Sequence, residues 1–168
     1  MKILVVVDMQ NDFIDGVLGS AEAVKIVPYV EQKIKSFDGK VYFTRDTHFE
    51  DYLDTQEGHN LPVKHCVKDT DGWQIHKSLD ALRKTEAIDK ITFGSTELID
   101  VLDREEEIES ITFVGLCTDI CVISNVMTVK TFFPEIPLIV DSKGCAGVTP
   151  LSHNTALDAM RAVQVEVV

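Results

Sequence analysis

Short, uniformly apolar runs recur along this chain and constrain its fold more than any other feature. Each run has the length of a β-strand without polar alternation, which is typical of strands buried on both faces of a parallel sheet. The four clearest runs are ILVVV at 3–7, KVYFT at 40–44, ITFVG at 111–115 and PLIVD at 137–141. A weaker strand is predicted near 87–91, and the terminal VQVEVV is a candidate to close the sheet.

Segments with helical character separate these runs. They cover residues 21–37, 75–83, 95–102, 119–132 and 152–162, and Ser95 and Thr149–Pro150 are typical helix starts. Strands that alternate with helices through right-handed connections predict a three-layer α/β/α fold around a doubly wound, mostly parallel, Rossmann-like sheet. The length of 168 residues suits a single domain spanning 1–168.

The charge balance excludes several classes of partner. The chain has 16 Lys plus Arg against 28 Asp plus Glu, a net charge of −12, which argues against nucleic acid and anionic membranes. No apolar stretch approaches the length of a membrane helix, and Met1–Val7 is too short for a secretion signal. Four cysteines without a C-x-x-C pair predict reduced thiols and a cytoplasmic location, although a Cys117–Cys121 disulfide is compatible with the spacing.

Three residues with catalytic chemistry lie near predicted strand ends: Asp8, Lys90 and Cys121. With Thr118 as N-cap, Cys121 falls at the third helical position, where the helix dipole favours its ionisation. A cysteine with an acid/base partner and a cation is the set expected for nucleophilic catalysis. Taken alone, Cys121 is better interpreted as an inert buried thiol, and Lys84 competes with Lys90 for the cation's role.

A different class of function uses some of the same residues. Phosphoacceptor signalling modules also place Asp residues after early parallel strands and a Lys after a late one, as Asp8, Asp46 and Lys143 do here. That interpretation leaves Cys121 and His48 without a role.

The loop from Asp46 to Trp73 has no core periodicity, and loops of this length in compact domains are usually functional. Asp46 and His48 are two positions apart, so both project to the same side of an extended segment. A carboxylate and an imidazole form half of a site for zinc, iron or manganese.

Four segments carry a resemblance to a known family: VVVDMQNDF, TRDTH, the Lys before ITFGS, and GLCTDICV. Because these segments occur in this order and at this spacing, the chain is identified as a member of the nicotinamidase and isochorismatase-like cysteine hydrolase superfamily. The resemblance covers Lys2 to about Val148, and PLSHNTALDAM continues it. It implies the isochorismatase-like version of the α/β fold predicted above.

The resemblance also assigns catalytic roles. It implies that Cys121 is the nucleophile, that Asp8 is the general acid/base, and that Lys90 steadies the thiolate and Asp8. The backbone N–H groups of Cys117 and Cys121 would form an oxyanion hole, beside a cis peptide bond at Leu116–Cys117.

A metal site follows from the same resemblance. Its ligands would be Asp46 and His48, completed by Glu57 and His65, with Asp54 and His59 as alternatives. The ion, zinc or else iron or manganese, would take the substrate's ring nitrogen and orient its carboxamide toward the thiol.

The substrate-binding wall departs from the family pattern. Leu61–Pro62–Val63 stands just before His65, where an aromatic side chain that stacks on a pyridine ring is often found. Phe13, Phe93 or Trp73 would then supply the wall.

The resemblance implies hydrolysis of a small-molecule amide, foremost nicotinamide to nicotinate and ammonia through a Cys thioester. A carbamoyl or ureido compound hydrolysed by the same triad without metal is the alternative. Isochorismate-type vinyl ether hydrolysis is disfavoured, because that branch does not use a cysteine nucleophile. A homo-oligomer is compatible with the sequence.

Overall fold

The computed structural model describes all 168 residues, and its centre is a six-stranded sheet. The strands are β1 (Lys2–Val7), β2 (Lys40–Asp46), β3 (Ile88–Lys90), β4 (Ser110–Leu116), β5 (Leu138–Ala146) and β6 (Glu166–Val167). They lie in the order β3-β2-β1-β4-β5-β6, and every neighbouring pair is parallel. The predicted doubly wound α/β architecture is confirmed.

Helices cover both faces of the sheet. They are α1 (Asn11–Ile14), α2 (Ala21–Ser36), α3 (Gln56–Asn60), α4 (Lys77–Asp80), α5 (Thr96–Leu102), α6 (Ile123–Phe132) and α7 (Pro150–Ala162), with a 3₁₀ turn at Tyr52–Asp54 and a π-helical turn at Thr118–Val122. Successive side chains of β1 point to opposite faces, so Ile3 and Val5 pack with α5, α6 and α7, whereas Leu4 and Val6 pack with α2. None of the helices combines the length and apolar character needed to cross a membrane.

The fifth strand and the helix that follows the long loop differ from their predicted bounds. β5 continues beyond residue 141 to Ala146, because a register shift opposite Phe113–Gly115 lets the polar stretch after Asp141 bulge before the strand pairs again. The helix predicted over 75–83 is reduced to α4, because Ile75 forms an isolated bridge with Gln10 instead.

The long loop also contains structure that periodicity did not indicate. The 3₁₀ turn and α3 lie within it, and Thr55 caps α3 by accepting a hydrogen bond from the N–H of Gly58 at 3.0 Å. These two short elements carry Glu57 toward the carboxyl end of β2.

The strand order reverses between β1 and β4, which is the position where doubly wound sheets bind ligands. Gly115 lies here with a φ of +124°. A Cβ at this position would lie 2.1 Å from the carbonyl oxygen of Val7, so only glycine allows the two strands to approach this closely.

Gly115→Ala is therefore expected to destabilise the fold by about 3 kcal/mol, because it combines an unfavourable φ with a backbone clash. Chemical denaturation of the purified variant measures this free energy. Gly94→Ala is the matched control, since its nearest contact is the movable hydroxyl of Thr128 at 2.9 Å. Equal stabilities for the two variants would contradict the packing argument.

Candidate active site

Three ionisable side chains and a thiol meet at the carboxyl ends of the central strands. Lys90 Nζ lies 2.7 Å from Asp8 Oδ2, 3.1 Å from Asp46 Oδ1 and 3.5 Å from Cys121 Sγ. All four residues are at most 4% exposed. The structure thus places the three predicted catalytic residues in one group and adds Asp46 to it, whereas Lys84 is exposed.

Asp8 directly follows β1 in a left-handed backbone conformation, with a φ of 47°. Thr44 Oγ1 donates a 2.6 Å hydrogen bond to Asp8 Oδ1, a contact that sequence analysis missed. Asp8 Oδ2 faces the ammonium of Lys90 but accepts no well-aligned hydrogen bond. This oxygen therefore keeps a lone pair with which it can accept a proton from a neighbouring group.

Burial dominates the electrostatics of the group. It raises the pKa of Asp8 above its usual value, with the charge of Lys90 opposing the shift. Burial works against the charge on Lys90, but the carboxylates of Asp8 and Asp46 outweigh burial, so the pKa of Lys90 lies well above its usual value. Burial, reinforced by the charge of Asp8, also raises the pKa of the Cys121 thiol well above its usual value.

These shifts favour a neutral thiol beside a charged ammonium and a carboxylate of increased basicity. Burial and the neighbouring carboxylate thus oppose the ionisation of Cys121 that a helix start was expected to favour. The proton of Cys121 must be transferred to an adjacent base when the sulfur reacts.

Cys121 lies on the π-helical turn that joins β4 to α6. The N–H groups of Ile120 and Val122 both donate to the carbonyl oxygen of Cys117, at 3.1 and 3.0 Å. The Leu116–Cys117 peptide bond is cis, as the resemblance implied. Both cysteines of this segment are free thiols, so the disulfide alternative is not formed.

The predicted helix start at this segment is wrong in one detail. Thr118 does not cap the helix but is the first residue of the π-helical turn, and Cys121 is its fourth. The Thr118 hydroxyl is instead 2.7 Å from His153 Nδ1, so a tertiary contact uses the group that would otherwise cap the turn.

Gln10 fixes the position of Asp46 from the neighbouring strand end. Its side-chain Nε2 donates to the carbonyl oxygens of Asp46 and Trp73 at 2.8 and 2.9 Å, and its Oε1 accepts from the N–H of Asp46 at 2.7 Å. Gln10 is fully buried, so these bonds satisfy an amide that burial would otherwise penalise. Gln10 belongs to the VVVDMQNDF segment, but its contacts with Asp46 and Trp73 were not predicted from the sequence.

A cluster of potential metal ligands lies beside this group. Asp46, His48, Glu57 and His65 each present one ligand atom, and the four atoms lie within 4.8 Å of one another. His48 Nε2 is 3.0 Å from Asp46 Oδ2 and 3.5 Å from Glu57 Oε1. The alternative ligands Asp54 and His59 are exposed and lie outside the cluster.

The donor set fits a divalent cation. His65 Nδ1 is 2.7 Å from the carbonyl oxygen of Val63, which assigns the proton to Nδ1 and leaves the Nε2 lone pair free. That Nε2 is 3.8 Å from Asp46 Oδ2 and 3.7 Å from Glu57 Oε1. Two imidazoles and two carboxylates are suitable ligands for zinc, iron or manganese.

Asp46 connects the two groups. Its Oδ1 accepts from Lys90 and its Oδ2 from His48. Burial disfavours its charge, but the hydrogen bond from His48 and the charge of Lys90 outweigh burial, so the pKa of Asp46 lies below its usual value. One carboxylate therefore holds the metal-ligand cluster next to the thiol.

Both groups open into one cavity of about 950 Å³. Phe13 and Phe93 line it, as expected for a substrate wall, and Leu61, Ile91 and Ile120 add apolar surface that sequence analysis did not assign.

Trp73 does not line this cavity, which corrects its assignment as a wall residue. Its ring is buried, its Nε1 donates to Thr47 Oγ1 at 2.9 Å, and the Arg45 guanidinium lies 3.4 Å from the ring centroid. Trp73 instead packs the loop against β2.

The phosphoacceptor arrangement does not form. The lysine between Asp8 and Asp46 is Lys90, at the end of β3, whereas Lys143 is exposed on β5. Lys90 Nζ also donates to the carbonyl oxygen of Thr92 at 3.1 Å and lies 3.5 Å from the thiol of Cys121.

The chain belongs to the isochorismatase domain family, whose model matches residues 2–168. It is 26% identical to the nicotinamidase of Schizosaccharomyces pombe over 98% of this chain and 91% of that protein. It is 27% identical to the nicotinamidase/pyrazinamidase of Mycobacterium tuberculosis over 100% of this chain and 98% of that protein. The crystal structure of the pyrazinamidase of Pyrococcus horikoshii in complex with zinc superimposes with a TM-score of 0.83 at 24% identity, covering 99% of this chain and 98% of that one.

Proposed function

We propose that this amide hydrolase converts nicotinamide and water to nicotinate and ammonia. The observation that carries the proposal is that Cys121 and the four-ligand cluster face one cavity. A substrate with a carboxamide and a ring nitrogen can meet both at once. The nicotinamidases among the relatives support the same substrate.

The reaction begins with the thiol. As Cys121 Sγ attacks the carboxamide carbon, its proton passes to Asp8 Oδ2, and Lys90 stays charged and stabilises the developing negative charge on sulfur. The backbone N–H groups of Cys117 and Cys121 receive the oxyanion. Asp8 then gives the proton to the amide nitrogen, the C–N bond breaks, and ammonia leaves a thioester.

The second half of the reaction restores the enzyme. Asp8 takes a proton from water as the water oxygen attacks the thioester carbon, and the C–S bond breaks. Asp8 returns that proton to the sulfur of Cys121, and the carboxylic acid leaves and ionises in solution. The raised pKa of Asp8 suits both steps, because the same group must accept and release a proton.

Asp46, His48, Glu57 and His65 would hold the metal, with zinc as the first candidate because the Pyrococcus horikoshii pyrazinamidase was solved with that ion. When bound, a divalent cation supplies a Lewis-acid anchor for a ring nitrogen of the substrate. Phe13 and Leu61, which line the cavity, would flank the ring of the substrate. Leu61 offers a less complete stacking surface than an aromatic residue would.

The purified protein is expected to contain about one equivalent of metal and to hydrolyse nicotinamide far faster than benzamide, which has the same shape without the ring nitrogen. His48→Ala should remove most of this preference, because it removes one of the four ligands. Metal analysis and ammonia release from the two amides measure both results.

His59→Ala is the matched control, since His59 is exposed and lies outside the cluster. It should leave the metal content and the preference unchanged. Metal-free protein that is fully active on a carbamoyl or ureido compound and inactive on nicotinamide would exclude nicotinamide as substrate while leaving the cysteine mechanism intact.

A further inference from the structure

The segment that carries the thiol is attached to the start of α7 by two polar contacts. Thr118 Oγ1 lies 2.7 Å from His153 Nδ1, and Thr118 is fully buried. Asp119 Oδ1 accepts from the N–H of Val148 at 3.1 Å. The two residues that follow Cys117 are therefore bound to the first turn of α7 and to the β5–α7 connection, respectively.

His153 is itself held firmly. The N–H of His153 donates to the carbonyl oxygen of Thr149 at 3.0 Å, and Thr149 and Ser152 form a capping box at the start of α7. Gly147 passes so close that a Cβ there would lie 2.9 Å from the Cα and Cβ atoms of His153. Burial lowers the pKa of His153, so a neutral ring faces the Thr118 hydroxyl near neutral pH.

Backbone hydrogen bonds hold the π-helical turn together internally: the carbonyl oxygen of Cys117 accepts the N–H groups of both Ile120 and Val122, one on each lone pair. Asn125 Nδ2 adds a bond to the carbonyl oxygen of Cys121 at 2.8 Å. These bonds fix the shape of the turn, and side-chain contacts with neighbouring elements contribute to its orientation relative to the sheet. Thr118 is the buried polar residue of the turn, and its hydroxyl pairs with His153.

We propose that His153 is a positioning residue that, through Thr118, holds the segment Cys117–Cys121 so that the thiol and the two backbone N–H groups face the substrate carboxamide together. This role rests on the acyl-transfer function proposed above. His153 does not line the cavity that holds Cys121, so it acts through Thr118 rather than on the substrate. Its effect belongs to the chemical step and not to substrate binding.

The test compares His153→Phe, which keeps the ring size without a nitrogen, with His153→Asn, whose amide can still pair with the hydroxyl. His153→Phe is expected to lower kcat by about 10- to 100-fold, the range below the loss of a whole oxyanion donor, with KM within about two-fold. His153→Asn should recover most of the rate. Asn154→Phe, at an exposed position on the same turn of α7, is the matched control and should behave as wild type.

A second arm uses the partner residue. Thr118→Val should lower kcat to the same degree as His153→Phe, and the double variant should be no slower than either single variant, because both changes remove one contact. Multiplying losses would overturn the proposal. So would a His153→Phe enzyme with a kcat within about two-fold of wild type, or an Asn variant as slow as the Phe variant at an unchanged Tm.

A measurement independent of turnover separates this proposal from the proposed function. The rate at which iodoacetamide alkylates Cys121, followed by peptide mass spectrometry, should fall in His153→Phe and recover in His153→Asn. If wild-type protein hydrolyses no nicotinamide while alkylation follows this pattern, the function fails and the positioning role stands. Equal alkylation rates in wild type and His153→Phe would overturn the positioning role.

Discussion

Cys121→Ala is expected to abolish amide hydrolysis, lowering kcat by about 10⁴-fold or more while the protein stays folded. The sulfur of Cys121 is the atom that bonds to the substrate carbon. The other two side chains that contact Lys90, Asp8 and Asp46, cannot replace it, because both are carboxylates paired with the Lys90 ammonium. Ammonia release measures the loss, and thermal denaturation checks the fold.

Cys145→Ala is the control for this experiment. Cys145 is also a buried free thiol, and burial raises its pKa to about 12, but it does not line the cavity that contains Cys121. Its removal should cost a little stability and leave the rate intact. In wild type, acid quenching during turnover should trap an acyl group on the Cys121 peptide. An alanine variant that keeps more than about a tenth of the wild-type rate would refute the covalent mechanism.

The position of the catalytic group could be predicted because its residues lie at the carboxyl ends of predicted strands. Asp8 comes directly after an apolar run and Lys90 ends a weaker one, and the carboxyl ends of parallel strands meet at one edge of a sheet. The ionisation of Cys121 could not be predicted in the same way. Sequence position locates the residue near a helix start, but the pKa depends on burial and on Asp8, which only the packed structure provides.

Loop residues were the least predictable part of the site. Trp73 was a reasonable candidate for the wall by residue type, but whether a loop aromatic faces a cavity or the core depends on its tertiary contacts. Here Arg45 and Thr47 at the end of β2 hold it away from the cavity. Glu57 could be named only as a family match, because α3, which carries it, lacks hydrophobic periodicity.

The polar contacts that support the site were also missed. Thr44 belongs to no recognisable motif. It contacts Asp8 because β1 and β2 are neighbouring parallel strands. His153 lies in the helix after β5, and nothing in the sequence between them indicates that its ring contacts Thr118. Such contacts join residues far apart in the chain, so a single sequence carries no local signal for them.

Asp8→Asn and Lys90→Ala are each expected to lower the rate of hydrolysis, and their effects are expected to be non-additive. Asp8→Asn keeps the shape but cannot accept the thiol proton, so kcat/KM should fall by about 10²- to 10⁴-fold. Lys90→Ala should cause a similar loss, because the charge that stabilises the sulfur anion disappears. The double variant should lose much less than the product of the two losses, since each residue is effective only in the presence of the other.

The free energy of unfolding of each variant shows whether a lost rate reflects this coupling or a loss of the folded structure. Lys90→Ala leaves Asp8 and Asp46 buried without their cation, which should cost about 3–5 kcal/mol, and adding Asp8→Asn should recover part of that cost by removing one of the two charges. Lys84→Ala, at an exposed lysine six positions earlier, is the control for the charge change and should alter neither the rate nor the stability. Rate losses that multiply in the double variant would instead assign Asp8 and Lys90 to independent steps, and the proton transfer from Cys121 to Asp8 beside Lys90 would have to be abandoned.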